Sequence, residues 1–151
     1  MAMILSWVEL LLPPVYSAVP GIKIGLPNIV IIFLLYRFGW RAAAGTSLVR
    51  ICLSALLFGN PMTLAYSLAG GVLSLFVMCV LKKLNFFSSI GVSVAGGVFH
   101  NVGQIIMATL ILGTAEIAYY LVVLAVTGTV AGIFVGLAAD ILNKKLPPLK
   151  Y

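Results

Sequence analysis

The stretch SVAGGVFHNVGQ, residues 93–104, places the only His and the only Gln of the chain inside a long apolar run. On an α-helix its small and polar residues share one face, an arc of about 140°, and its bulky apolar residues cover the rest. The residues on that face are Ser93, Gly96, Gly97, His100, Asn101 and Gln104. A polar face at membrane depth has to pack internally or line a cavity. We therefore predict that this helix forms one wall of a binding site.

The composition around this stretch is that of an integral membrane protein. Of the 151 residues, 63% are hydrophobic and 8% are charged, and the mean hydropathy is +1.23. These values exclude a soluble globular domain. We predict an all-α integral membrane fold in a single transmembrane domain that covers residues 1–151.

Short polar breaks divide the chain into six predicted helices, which would form a six-helix bundle. The first is short, because Pro13 and Pro14 end it after about 18 Å at 1.5 Å per residue, less than the ~30 Å of a bilayer core. The others are long enough, or nearly so, to cross. The predicted spans are 2–12, 23–38, 40–58, 62–81, 88–112 and 117–142.

The positive charge is distributed in the manner of a membrane protein rather than a nucleic-acid-binding protein. The net charge is +6, but no basic face with interleaved aromatic residues accompanies it, so we expect no nucleic-acid partner. The basic residues lie mainly at three helix boundaries that would share one side of the membrane, which predicts that both termini are cytoplasmic. Seven of the nine are Arg37, Arg41, Lys82, Lys83, Lys144, Lys145 and Lys150.

Catalytic chemistry has little support in the sequence. The three acids, Glu9, Glu116 and Asp140, are far apart, so paired carboxylates and aspartate-rich metal clusters are absent. Cys52 and Cys79 stand alone in apolar runs and are predicted to be reduced. No GxxxxGK[ST] motif for ATP occurs. We therefore expect no catalytic residues, no metal site and no cofactor in this chain.

Polar residues in the other predicted helices suggest partners for the 93–104 stretch. Arg50 lies near the middle of its span, where a guanidinium could bind a phosphate or carboxylate in bidentate fashion or could serve an internal structural role. Lys23 lies at the outer side and is either at the mouth of the site or a simple interfacial lysine. His100, Asn101 and Gln104 either hydrogen-bond a ligand or clamp two helices together. The predicted ligand-binding residues are Glu9, Lys23, Asn28, Arg50, Asn60, Tyr66, His100, Asn101 and Gln104, and Phe58, Tyr66 and Tyr119 could flank an apolar ligand tail.

Stripes of small residues predict close helix packing. Tyr66, Ser67, Gly70, Gly71 and Ser74 follow one stripe, and Gly128, Gly132 and Gly136 follow another with Asp140. The glycine stripe can meet its own bundle or a partner subunit, and we assign its three glycines to a partner interface.

Several runs resemble the Gx transporter family, also labelled heptaprenyl diphosphate synthase component I. The resemblance covers residues 6–145, and the matching runs appear in order as ELLLPP, VPGIKIGLPNIV, SLVRICLSALLFGNP, YSLAGGVLSLFVM and IGVSVAGGVFHNVGQ. That family is similar to the substrate-binding S components of energy-coupling factor (ECF) transporters, six-helix membrane proteins with a pocket near the outer surface.

The resemblance also implies partners and a location. The partners would be membrane lipid, a transmembrane coupling subunit, two cytoplasmic ATPases and a small-molecule ligand, in the cell membrane of a prokaryote. The loop 13–22 would close over the ligand, and Ala2 with Ser6, spaced by four, would contact the coupling subunit.

Three functions follow as hypotheses. The first is a substrate-binding subunit of an ATP-driven importer that captures a small, partly apolar anion such as an isoprenoid phosphate. The second is a non-catalytic accessory subunit for polyprenyl diphosphate or quinone synthesis, since prenyl transfer itself needs acidic residues to hold magnesium. The third is a self-associating glycine-zipper channel.

Overall fold

The computed structural model of the protein describes Ile4 and residues 26–58, 61–113 and 119–145. The three described segments form five helices, which we number in chain order: α1 (Leu26–Arg37), α2 (Trp40–Phe58), α3 (Pro61–Leu84), α4 (Ser89–Leu112) and α5 (Tyr120–Lys145). The prediction of an all-helical fold is confirmed for this part of the chain. Apart from Ile4, the predicted first span and the predicted loop 13–22 lie outside the described residues.

Local sequence explains where the helices end. Gly39 and Gly113 adopt left-handed backbone conformations, with φ of 89° and 66°, after α1 and α4. The N–H of Gly113 donates to the carbonyl oxygen of Thr109 at 2.9 Å, which is typical of a glycine C-cap. At the start of α4, the Ser88 hydroxyl accepts a hydrogen bond from the Gly91 N–H at 3.2 Å. The turn between α3 and α4 contains Asn85, whose φ is 55°.

Two helices extend beyond the spans predicted for them. The predicted spans 62–81 and 117–142 end before lysine pairs, whereas α3 and α5 include Lys82, Lys83, Lys144 and Lys145 in their last turns. Lysine favours helix formation, and its charge interacts favourably with the carbonyl end of the helix dipole. The backbone therefore stays helical past the apolar run.

Three of the described helices are long and apolar enough to cross a membrane. They are Leu64–Leu84, Ser89–Leu112 and Leu121–Lys145, with mean hydropathies of 2.2, 1.5 and 2.4. The apolar part of α1 is shorter, Pro27–Arg37. Many large apolar side chains of the three long helices point outward, including Phe76, Leu110 and Phe134 at 66%, 73% and 67% exposure. A surface of this kind suits lipid, so the structure indicates a membrane protein.

The helix α4 lies at the centre of the arrangement. It packs along most of its length between α3 and α5, and α1 packs against α2 and α5 to close a ring in which α2 also contacts α3. The buried apolar core lies toward the end where the basic residues gather, among Ile31, Ile32, Leu35, Ala43, Met78, Val92, Val135 and Ala139.

Glycine allows α4 and α5 to approach at backbone distance. A Cβ atom on Gly128 would lie 2.9 Å from the Gly97 carbonyl oxygen, one on Gly132 would lie 2.5 Å from Val94 Cα, and one on Gly136 would lie 2.7 Å from Ile90 Cα. Packing within the chain therefore occupies Gly128, Gly132 and Gly136, which corrects their assignment to a partner interface.

Polar contacts tie the helix ends together at the basic end of the bundle. The Arg37 guanidinium donates to the Asn143 carbonyl at 3.5 Å, and the Lys82 ammonium donates to the Leu35 carbonyl. The Asp140 carboxylate accepts from the Ser89 hydroxyl at 3.2 Å and pairs with Lys144 at 2.7 Å. The C-terminal carbonyls of α1 and α5 thus receive donors from other parts of the bundle.

The α4–α5 packing yields a stability prediction. Gly132→Ala should lower the free energy of unfolding by about 1–3 kcal/mol, because the atoms that the new methyl group meets belong to the backbone of α4 and cannot turn aside. The measurement is the unfolding transition of the purified protein in detergent.

Gly45→Ala is the matched control, since nothing lies within 4 Å of a Cβ atom at Gly45. It should leave stability unchanged or raise it by up to about 1 kcal/mol, the helix-propensity gain. Equal destabilisation by the two variants would contradict the packing assigned to Gly132.

Candidate functional site

His100 and Gln104 meet α3 at Gly70. A Cβ atom on Gly70 would lie 2.6 Å from the His100 carbonyl oxygen, 3.0 Å from His100 Nδ1 and 2.9 Å from Gln104 Cγ. Any larger residue at position 70 would push these groups away. Because Gly70 has no side chain, the part of α4 from His100 to Gln104 lies directly against α3.

The next residue, Gly71, receives α2 on another side of the same helix. A Cβ atom on Gly71 would lie 2.6 Å from Ile51 Cδ1 and 3.8 Å from the Ser47 hydroxyl oxygen. Consecutive residues of a helix differ by only 1.5 Å in depth but by about 100° in direction. Gly70 and Gly71 therefore bring α4 and α2 to α3 at one depth.

Arg50 reaches that depth because it directly precedes Ile51. Its side chain is half-buried and its Nε atom is buried, and His100 is half-buried as well. Both side chains have interaction partners within the protein. The structure thus places the predicted residues His100 and Gln104 against Gly70, and it places Arg50 on α2 directly before Ile51, the residue that contacts Gly71.

Part of the predicted polar wall on α4 serves helix packing. Ser93 is only 3% exposed, and Gly96 is buried with its carbonyl oxygen accepting from the Ser74 hydroxyl at 2.7 Å. Gly97 packs against Gly128. The prediction that the whole face lines a site is therefore wrong for its first half, residues 93–97.

Asn101 also serves packing. Its side-chain nitrogen donates to the Leu124 carbonyl oxygen of α5 at 2.6 Å, and a Cβ atom on Gly128 would lie 2.7 Å from that nitrogen. This contact is the interhelical clamp that was the alternative to a ligand role. Asn101 directly follows His100, so this hydrogen bond joins α4 to α5 next to His100 and helps to orient the helix that carries it.

The remaining predicted residues are less informative about a site. Asn28 and Tyr66 are half-buried, and Tyr66 precedes Gly70 by about one turn on the same helix. Tyr119 is 83% exposed, which places it on the protein surface and not beside an enclosed ligand tail. Glu9, Lys23 and Asn60, the side chain of Phe58, and the predicted partner contacts Ala2 and Ser6 lie outside the described residues.

A cavity that the sequence interpretation missed lies between α2 and α3. Its volume is about 780 Å³, and most of its lining is apolar, with Lys82, Lys83 and Asn85 at one end. It extends from the contact of Gly71 with Ile51 toward the basic end of the bundle. In the sequence, the Gly70–Gly71 pair and the lysine pair that follows it were the features that could have indicated this cavity. The sequence does not show which neighbouring helix faces each glycine, because that depends on the tertiary structure.

Comparison with protein families identifies the chain. A family model described as heptaprenyl diphosphate synthase component I matches residues 1–142, nearly the whole sequence. The chain belongs to this family. A search of curated proteins and a search of solved structures gave no match.

The described part of this component I family member contains no group of three His, Cys, Asp or Glu side chains close enough to hold a metal ion. Of the three acids in the chain, Asp140 lies in the described residues and is engaged by Lys144 and Ser89. The polar side chains that contact Gly70 are the His100 imidazole and the Gln104 amide.

The Asn101 clamp can be tested by stability. Asn101→Ala should lower the free energy of unfolding by about 0.6 kcal/mol and at most about 1.7 kcal/mol, the average and the maximum measured for interhelical hydrogen bonds in a membrane protein. The measurement is detergent unfolding, with Leu110→Ala, at a 73% exposed position on the same helix, as the control that should change little. A loss no larger than that of the control would show that the clamp contributes nothing.

Proposed function

We propose that this member of the heptaprenyl diphosphate synthase component I family is the substrate-binding subunit of an ATP-driven importer, equivalent to an S component of the ECF type. The observation that supports the proposal is the contact of His100 and Gln104 with α3 at Gly70, at the depth where Arg50 lies half-buried on α2, inside a bundle whose surface is apolar. Charged residues within membrane helices are costly and commonly mark a substrate site.

The proposed ligand is a small, partly apolar anion. Arg50 would bind a phosphate or carboxylate through parallel N–H donors, and His100 and Gln104 would complete its hydrogen bonds. Apolar residues of the surrounding helices would contact the rest of the ligand. An isoprenoid phosphate has both parts, an anionic head and a hydrocarbon tail.

Transport by this subunit would depend on other proteins. A transmembrane coupling subunit and two cytoplasmic ATPases would supply the movement, and this chain would bind the ligand without catalysing a reaction. The contacts of Arg37 with the end of α5, and of Lys82 with the end of α1, support the arrangement of the basic boundaries at one end. By the positive-inside rule, that end and both termini would face the cytoplasm.

The proposed site is tested by ligand affinity. Arg50→Ala and His100→Ala should each weaken binding by roughly tenfold or more, because a hydrogen bond to a charged group contributes about 1.5–3 kcal/mol. The ligand for the measurement is the small molecule that co-purifies with the protein, identified by mass spectrometry, and the method is titration calorimetry.

Arg41→Ala provides the matched control, because Arg41 lies in the same helix but is exposed, with its guanidinium 5.7 Å from the centre of the Trp40 ring. The affinity of the Arg41→Ala variant for the ligand should equal that of the unmodified chain. Unchanged affinity in both site variants, with the proteins folded, would refute the assignment of Arg50 and His100.

The family description supports a second candidate, a non-catalytic membrane subunit for polyprenyl diphosphate synthesis. The two functions predict different partners. Purification of the tagged chain from its native membrane should recover a coupling subunit and ATPases if it serves transport. Recovery of a soluble prenyl synthase without these proteins would favour the accessory role instead.

A further inference from the structure

The cavity between α2 and α3 has the dimensions of one membrane leaflet. On α3 it is lined from Gly71 to Lys83, with Asn85 in the turn that follows, and on α2 from Ile51 back to Trp40. The eleven steps along the helix from Gly71 to Lys82 rise about 16.5 Å at 1.5 Å per residue. That length is close to half of the ~30 Å hydrocarbon core. The cavity is therefore long enough to hold one acyl chain of a lipid along the two helices.

The lining changes character along this length. Between the two ends it is built from side chains such as Leu48, Val72, Leu75 and Phe76, of which Val72 and Phe76 are 58% and 66% exposed. A hydrocarbon chain is the natural occupant of such a surface, and a polar ligand would find few hydrogen-bond partners along it. The two helices meet closely at Gly71, where the cavity ends.

The other end of the cavity is cationic. Lys82 and Lys83 both line it, and no Asp or Glu is among its described lining residues. The Lys82 ammonium donates to the Leu35 carbonyl and lies 5.2 Å from the centre of the Tyr36 ring, which holds it beside the cavity. An ammonium has three donors, so this hydrogen bond leaves two for an anion. Lys83 is exposed at the same end.

We propose that this cavity binds an anionic phospholipid, with an acyl chain between α2 and α3 and the phosphate at Lys82 and Lys83. Basic pockets between membrane helices recognise anionic headgroups, and each lysine near the surface contributes attraction. Trp40 lines the same end and is 60% exposed, as expected of an aromatic residue at the membrane interface. This lipid site begins at the contact of Gly71 with Ile51, and neither Arg50 nor His100 lines it.

The selectivity of the site is tested by lipid retention. The full chain is purified from bilayers that contain equal amounts of phosphatidylglycerol and phosphatidylcholine with the same acyl chains, and the retained lipids are counted by native mass spectrometry. Phosphatidylglycerol should be retained in excess, and Lys83→Gln should lower that excess about fivefold, the effect of one lysine near an anionic lipid.

Lys145→Gln is the matched control, because Lys145 is an exposed lysine at the same end of the bundle that does not line the cavity. It should leave the excess unchanged. Equal retention of the two lipids by the unmodified chain, or equal losses in the two lysine variants, would overturn the proposal.

The location of the lipid is tested with the natural cysteines. Cys79 lines the cavity, whereas Cys52 is exposed on α2 and does not. In a Cys52→Ser chain, phosphatidylglycerol should slow maleimide labelling of Cys79 several-fold more than phosphatidylcholine does. In a Cys79→Ser chain, the labelling of Cys52 should not distinguish the two lipids. Equal rates at Cys79 with the two lipids would place the lipid elsewhere and overturn the proposal.

Discussion

Close backbone packing on both sides of α4 is the constraint on which the rest of this structure depends. Lipid tails are as apolar as the side chains of the helices, so burial from water does little to hold helices together within a bilayer, and tight van der Waals packing has to do so. Gly103 packs against the backbone of α3, and Gly97 and Gly132 bring α4 and α5 together. The three longest helices of the described chain are joined in this way.

The same glycines determine which polar groups are available for binding. Where α4 and its neighbours touch backbone to backbone, Ser93 is buried and Asn101 is engaged by the Leu124 carbonyl. At Gly70, α3 meets the His100 carbonyl oxygen together with the His100 and Gln104 side chains, and at Gly71 it contacts Ile51, the residue after Arg50. The two adjacent glycines thus bring α4 and α2 to α3 at one depth, beside these polar side chains.

The basic end of the bundle uses its charged side chains in two ways. At the basic end, Arg37 and Lys82 donate to backbone carbonyls of other helices, and Asp140 joins Ser89 to Lys144. These contacts satisfy acceptors that a helix end leaves open, and they gather Arg37, Lys82 and Lys144 at one end of the bundle. Lys83, beside the cavity between α2 and α3, is exposed and therefore accessible to an anion from the membrane.

The amino-acid sequence is enough to predict the helical class, the membrane character, the approximate bounds of the described helices and the family. Each of these follows from composition, apolar run length, turn residues and ordered motifs, all of which are local properties of the chain. It also singled out Arg50, His100 and Gln104, because a polar group in an apolar run is conspicuous without a structure. The glycine stripe was equally visible.

The contacts that those features make are visible only in the tertiary structure. A stripe of small residues predicts a close neighbour but cannot name it, and the structure shows that Gly128, Gly132 and Gly136 face α4 of the same chain. Likewise, Asn101 could have faced a ligand or a helix until the position of Leu124 was known. Which helix lies opposite a given face depends on how all the helices pack together, and that information is not present in any one segment.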